Sequence, residues 1–283
     1  MIKIRVVLAV IVVVLLVACS DREAGRTIDL LKVAVLPDQS KSLLRKKYQP
    51  LLDHIEDHAG LDSELLIPES YQQLLQWFDS KRIDMALFGG ATYVKAHLKS
   101  GAESLVMRDV DGNFRSVALV NINNKANSIK ELKDASLAFG SELSTSGHLM
   151  PRYFLQMQNI YPESFFREIK YSGAHDLTAE WVRDGKVDLG IANSGIVNEM
   201  FLDGRLSQDK VKVIWQSPPF SDYVWAVQSD LNKQQKTKIR DLFLHLNHEV
   251  KDNQILINLG ANYYIPAGHN DFSNLEEIIV QME

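Results

Sequence analysis

Cysteine is almost missing: Cys19 stands alone in 283 residues. That excludes a disulfide framework, a cysteine-based metal cluster and a thiol nucleophile in the body of the chain. An excess of positive charge is missing too. Lysine and arginine number 31 against 36 aspartates and glutamates, for a formal net charge of −5, with no basic cluster. Such a chain is a poor fit to nucleic acid. Short-period repeats and low-complexity segments are absent, which excludes solenoids. Two enzyme signatures are absent as well. His54-Ile55-Glu56-Asp57-His58 spaces two histidines at i, i+4 but puts its glutamate on the wrong face for a zinc protease, and no Gly-x-Ser-x-Gly elbow surrounds any candidate serine. His54 and His58, like His245 and His248, read as a solvated helix face, and no cofactor or metal is expected.

What is present begins at the N-terminus. Lys3 and Arg5 precede an unbroken apolar run, Val6 to Val17, and small residues lead into Cys19. This order predicts a secretory signal peptide over 1–18. The run is shorter than the roughly 18–20 apolar residues that span a bilayer. Leu16-Val17-Ala18-Cys19 resembles the lipobox of bacterial lipoproteins, which implies a lipid on Cys19 and a cell-envelope location facing the periplasm or the exterior. Residues 19–29 are polar and read as a tether. The remainder, 46% hydrophobic and 24% charged over the whole sequence, has the composition of a soluble globular protein long enough for two lobes.

Beyond Asp29 the hydrophobic pattern alternates between strand and helix. Leu30 to Leu36 predicts a buried strand stopped by Pro37, Tyr48 to Ala59 a helix, Leu65 to Ile67 a strand, Tyr71 to Asp79 a helix and Ile83 to Phe88 a strand closed by Gly89-Gly90. The pattern restarts at Ser116. Strands are expected over 116–122, 136–139, 169–171, 187–191 and 211–215, with helices over 128–133, 147–157 and 177–184; Pro151 should bend the second of these. Tyr223 to Gln228 is extended and 233–260 helical. Lys81-Arg82-Ile83-Asp84-Met85-Ala86-Leu87 echoes Gly185-Lys186-Val187-Asp188-Leu189-Gly190-Ile191, a turn and an aspartate before a buried strand. The echo predicts one supersecondary unit used twice, hence two similar α/β lobes.

Ser144-Thr145-Ser146-Gly147-His148 follows one strand and opens a helix. Two readings stand. One hydroxyl would cap the helix; three hydroxyls and a glycine at a helix N-terminus also make an anion site, where free N–H groups and the helix dipole favour negative charge. Gly173-Ala174-His175-Asp176 places a histidine at a strand-to-helix junction, where capping is the simpler reading. Trp77, Trp181, Trp215 and Trp225 read as core.

Ala138 to Pro151, with its Ser-Thr-Ser-Gly run, resembles the signature of the phosphate/phosphite/phosphonate-binding proteins of ABC importers. Pro68-Glu69-Ser70-Tyr71, Ile83 to Gly89, Gly173 to Asp176 and Lys212 to Pro219 resemble further segments of that family, in its order. The resemblance covers nearly all of the chain after Cys19. It implies an α/β, two-lobe type II periplasmic-binding-protein fold with a ligand cleft between lobes: lobe 1 from 30–115 plus 224–283, lobe 2 from 116–223. It implies a non-enzymatic, monomeric binding protein that hands a small phosphorus oxyanion to an ABC permease. Ser144, Thr145 and Ser146 would hold the oxyanion oxygens, with His175 donating from the same lobe and Tyr71 from the other. Asp222 would accept a proton from the ligand, favouring protonated phosphonate, phosphite or phosphate over sulfate. Phe114 stands where a second ligand tyrosine is expected. Asn193-Ser194-Gly195 stands where amino-phosphonate binders carry a glutamate, so a small ligand without an amine is favoured. Two other functions remain open: a sensor of the same fold that signals to a membrane kinase or cyclase, and an envelope hydrolase using Ser146 and His175.

Overall fold

The computed structural model describes residues 25–246 and 250–282. The expected signal peptide and Cys19 lie outside the described residues, as does His248. Among the described residues no helix is long and apolar enough to cross a membrane.

The chain builds one sheet, leaves it for a second, and returns. First come β1 (Leu30–Val35), α1 (Lys41–Ala59), β2 (Asp62–Leu66), α2 (Tyr71–Asp79), β3 (Met85–Phe88), α3 (Gly90–Ser100) and β4 (Glu103–Arg108). Next are β5 (Ser116–Asn121), β6 (Ser136–Phe139), a π turn (Thr145–Leu149), α4 (Met150–Met157), α5 (Pro162–Phe165), β7 (Glu168–Tyr171), α6 (His175–Arg183), β8 (Leu189–Asn193), α7 (Ser194–Leu202) and β9 (Val211–Gln216). The return supplies β10 (Val224–Val227), α8 (Lys233–Leu244), α9 (Val250–Leu259), β11 (Tyr264–Pro266) and α10 (Ser273–Met282). The first sheet runs β2-β1-β3-β10-β4-β11 and the second β7-β6-β8-β5-β9. Strands β1 and β6 each lie between two parallel neighbours, while β10 and β5 run antiparallel to theirs.

The two sheets therefore repeat one order, and the sequence echo marks why. Asp84 Oδ2 accepts the Lys32 N–H at 2.9 Å, tying the start of β3 to β1. Asp188 Oδ2 accepts the Ser136 N–H at 2.8 Å, tying the start of β8 to β6. Each aspartate satisfies a backbone donor at the same place in its sheet.

Hydrophobic periodicity accounts for most elements. Leu44, Tyr48, Leu51, Leu52, Ile55 and Ala59 form the buried stripe of α1. That helix starts seven residues earlier than the sequence pattern suggests and continues through Pro50, since burial of Leu44 and Tyr48 outweighs one lost backbone bond. Helices α3, α5, α7 and α10 and strands β4 and β11 escape the sequence reading. Pro151 does not bend a helix: the π turn precedes it and α4 begins at Met150, so the proline falls in a first turn where its N–H is not needed. One large core surrounds the first sheet and takes in Phe114, Met150 and Phe220, whereas two smaller cores line the faces of the second.

Candidate functional site

Ligands of open α/β sheets sit at the carboxyl ends of strands, and here those ends from both sheets meet. The loop after β1 carries Asp38; the loop after β6 carries Ser144. Tyr71 is the first residue of α2 and His175 the first residue of α6. Gly89 caps α3 after β3, and Asn193 caps α7 after β8. The six sequence-predicted residues, Tyr71, Ser144, Thr145, Ser146, His175 and Asp222, are brought together and are all at most 2% exposed.

The Ser-Thr-Ser turn is held from several sides. Ser144 Oγ accepts the Gly147 N–H at 3.0 Å, so the hydroxyl does cap, as the simpler sequence reading has it. Thr145 Oγ1 accepts the Ala91 N–H of α3 at 3.0 Å. The Ser116 hydroxyl donates to the Ser146 carbonyl at 2.7 Å. Gly147 is required by close approach: a Cβ there would lie 2.8 Å from His175 Cε1 and 2.9 Å from Ser144 Oγ.

His175 is locked in one tautomer. The Asn193 N–H donates to its Nδ1 at 3.2 Å, so the ring proton sits on Nε2, which faces Ser144 Oγ at 3.4 Å. Burial pulls its pKa down to about 3, so the ring is neutral. A protonated Nε2 cannot take a proton from serine, and no carboxylate orients Nδ1. The hydrolase reading fails on this geometry.

Asp222 Oδ1 accepts the Gly90 N–H at 3.0 Å. Burial pushes its carboxyl up to about 6, and the Gly90 N–H with the Thr145 and Ser146 hydroxyls only partly offsets this. The Tyr71 hydroxyl is buried without a partner. Burial and the Asp38 charge hold that phenol well above its ordinary value.

Asp38, Asn193 and Tyr223 are participants that the sequence reading missed. The Tyr223 hydroxyl donates to Asp38 Oδ2 at 2.7 Å and accepts from Asn193 Nδ2 at 2.9 Å. The Asp38 carbonyl accepts the His175 N–H at 2.9 Å. Burial raises the Asp38 carboxyl to about 6 despite the Tyr223 hydrogen bond. Its one sequence signal was its place straight after Pro37 at the end of a buried strand. Phe114 packs edge-on against Tyr223, with centroids 5.5 Å apart, and exchanges both backbone hydrogen bonds with Phe220 at 2.8 and 3.0 Å. The arrangement offers neutral donors and two carboxylates. Nearby Arg108 is held by Asp111 at 2.6 Å and Lys47 by Glu199 at 2.8 Å. In the second candidate cluster the expected solvated face holds for His58 alone: His58 is exposed, but His54, which stacks on it at 4.3 Å, turns inward, its Nδ1 3.5 Å from the buried Asp252.

Two sheets of one order, closing strand ends and neutral donors on a buried spot, define a periplasmic-type solute-binding protein. A complex of PhnD1 from Prochlorococcus marinus (MIT 9301) with methylphosphonate matches at a TM-score of 0.86 and 29% identity, over 90% of this chain and 98% of that one. In sequence, the probable ABC transporter phosphite binding protein PhnD1 of P. marinus (strain MIT 9301) is 30% identical over 262 residues, 88% of each chain. The phosphonates-binding periplasmic protein of Escherichia coli (strain K12) is 25% identical over 239 residues, 81% of this chain and 70% of that one. The family model described as "ABC transporter, phosphonate, periplasmic substrate-binding protein" matches residues 33–272, and the chain belongs to that family. It is therefore an extracytoplasmic substrate-binding protein and not an enzyme.

Proposed function

We propose that this protein captures a protonated phosphorus oxyanion, a phosphonate, phosphite or phosphate, for an ABC importer, and that a lipid on Cys19 holds it at the membrane. The observation that carries the ligand reading is the pairing of neutral donors with buried Asp222. The Ser144, Thr145 and Ser146 hydroxyls, His175 Nε2–H and the Tyr71 hydroxyl suit oxyanion oxygens. An ionised carboxylate beside them repels a fully ionised anion and accepts from a P–OH. Sulfate has no proton to give. The relatives' printed ligands, phosphite, phosphonates and methylphosphonate, agree with this chemistry.

Residues 30–115 with 224–283 form one lobe and 116–223 the other, with the crossings near Phe114 and Phe220 as the hinge. Closure brings the Asp38 loop and α3 onto the Ser-Thr-Ser turn and α6, and the closed form is what the permease reads. The lipid offsets diffusion by keeping the domain near that partner.

A thermal-shift series on the full chain in detergent tests the reading against phosphate, phosphite, methylphosphonate and sulfate. A ligand at 100 times its Kd stabilises by about 2.7 kcal/mol. Failure of every phosphorus oxyanion to raise Tm overturns the ligand assignment. Intact mass and detergent partitioning of wild type and Cys19→Ala test the anchor separately.

A further inference from the structure

The oxyanion reading uses one carboxylate, Asp222. A second is built into the opposite wall. Asp38 is 4% exposed, and its oxygens differ in their situation. Oδ2 takes the Tyr223 hydroxyl; Oδ1 is shut away from solvent with no hydrogen-bond partner. The Tyr71 hydroxyl is the other buried side-chain atom at this site without one. Leaving a buried acceptor unsatisfied costs about 1–3 kcal/mol, more for a charged group, so a native position that retains one calls for an explanation.

Asp38 stands at the carboxyl end of its sheet, where ligands of such sheets sit. The sheets repeat one order, so β1 corresponds to β6 and the loop after it corresponds to the Ser-Thr-Ser loop. Tyr71 and His175 are likewise counterparts, each the first residue of its helix. The capping counterpart of Ser144 is Ser40, and Asp38 stands just before it in the same loop. Asp38 is pinned there by the His175 N–H on its carbonyl and the Tyr223 hydroxyl on Oδ2. Beside it lies a cavity of about 320 Å3 lined by Asp38, Asn193, Tyr223, Phe114 and Gly195 among others. The cations on that wall are already engaged: Lys47 with Glu199, Arg108 with Asp111, and Arg115 with the Ser217 carbonyl. Asp38 Oδ1 is the charged atom left over, and it can only accept.

We infer that Asp38 is a specificity-determining residue whose Oδ1 accepts a hydrogen bond from a second donor on the ligand, so that the site selects phosphorus oxyanions bearing two donors. One donor is the P–OH read by Asp222. The other is a second P–OH or a hydroxyl or ammonium on a short substituent lodged toward the cavity. This departs from the expectation that the Asn193-Ser194-Gly195 segment leaves the site without a carboxylate for such a group: the carboxylate comes from the other sheet. The inference rests on the oxyanion reading above.

Calorimetric titration of the full chain at pH 7 tests it. The probes are methylphosphonate, with one donor, and hydroxymethylphosphonate and 2-aminoethylphosphonate, with two. Wild type is expected to bind at least one two-donor ligand 10-fold or more tighter than methylphosphonate. Asp38→Asn should erase that ratio by weakening the two-donor ligand more than methylphosphonate. Tyr223→Phe, which frees Oδ2 but leaves Oδ1, should keep the ratio. Wild-type indifference to the second donor overturns the inference without need of a variant that folds. So does an Asp38→Asn variant that weakens every ligand by the same factor, the mark of a purely structural role. Absence of binding to wild type by all three ligands, and by phosphate and phosphite as well, overturns the oxyanion reading itself.

Discussion

A methyl group at Gly147 would meet the His175 ring at 2.8 Å and Ser144 Oγ at 2.9 Å, both closer than real Cβ contacts come. Gly147→Ala should therefore push apart the two groups that face each other across the turn and weaken ligand binding by at least 10-fold. Gly112→Ala, whose Cβ would have nothing nearer than Met107 Cε at 3.9 Å, should leave affinity unchanged. Equal affinities for the two variants would refute this account of the turn. The carboxylates give a second residue-scale prediction. The Asp222 carboxyl is raised from 3.8 to about 6, so the folded protein keeps a proton that the unfolded chain has released. Its contribution to stability is full below 3.8 and is lost as pH rises through about 6, at up to about 1.4 kcal/mol per pH unit in that window. His175 acts oppositely: lowered from 6.5 to about 3, its contribution is full above 6.5 and lost as pH falls toward 3. The slopes overlap, so a variant isolates the carboxyl. Asp222→Asn should raise Tm relative to wild type by more at pH 7.5 than at pH 5, and an identical difference at both would contradict a raised carboxyl.

At the scale of elements, Asp84 and Asp188 do one job in unequal settings. Asp84 is 4% exposed and also pairs with Arg26 at 2.7 Å. The Asp188 side chain is 47% exposed and takes both the N–H and the hydroxyl of Ser136 at 2.8 Å. Removing Asp84 leaves the Lys32 N–H without its acceptor and takes one of two carboxylates from Arg26; removing the half-exposed Asp188 opens the Ser136 donors to water. Asp84→Ala should cost about 1–3 kcal/mol and Asp188→Ala under about 1 kcal/mol, read as shifts in urea midpoint. The reverse ranking would show that the equivalence is one of sequence alone. The same elements mark the limit of pattern reading. Strand β6 and helix α2 are found at their observed bounds because their apolar spacing is clean. Helix α7 is missed because it opens on Ser194-Gly195, residues that favour loops, and is secured instead by the Asn193 cap on the Ile196 N–H at 3.0 Å.

At the scale of the molecule, the proposed closure rests on a few contacts between elements of different sheets. The His175 N–H reaches the Asp38 carbonyl at 2.9 Å, the Ser40 N–H reaches Asp176 at 3.0 Å, and Lys47 of α1 reaches Glu199 of α7 at 2.8 Å. The ion pair is partly exposed, and such pairs contribute about 0–1 kcal/mol. Lys47→Met should thus weaken affinity by no more than about fivefold, enlarge the radius of gyration of the ligand-free protein in X-ray scattering, and leave the urea midpoint in place. A large stability loss would mean that Lys47 supports a lobe rather than the closure.

The sequence by itself determined the α/β class, the repeated unit and the neutral-donor turn at Ser144-Thr145-Ser146, because each is written in local spacing: apolar periodicity, an aspartate before a strand, hydroxyls before a helix. Only the tertiary structure decided which donors face which acceptors. The His175 tautomer depends on an N–H from Asn193, eighteen residues away in sequence. The unsatisfied Asp38 oxygen depends on Tyr223, 185 residues away. Along the chain Asp38 is only a residue of the short loop between β1 and α1. Burial between two sheets made it an acceptor with one oxygen engaged and one free, and burial is a property of the fold rather than of any segment.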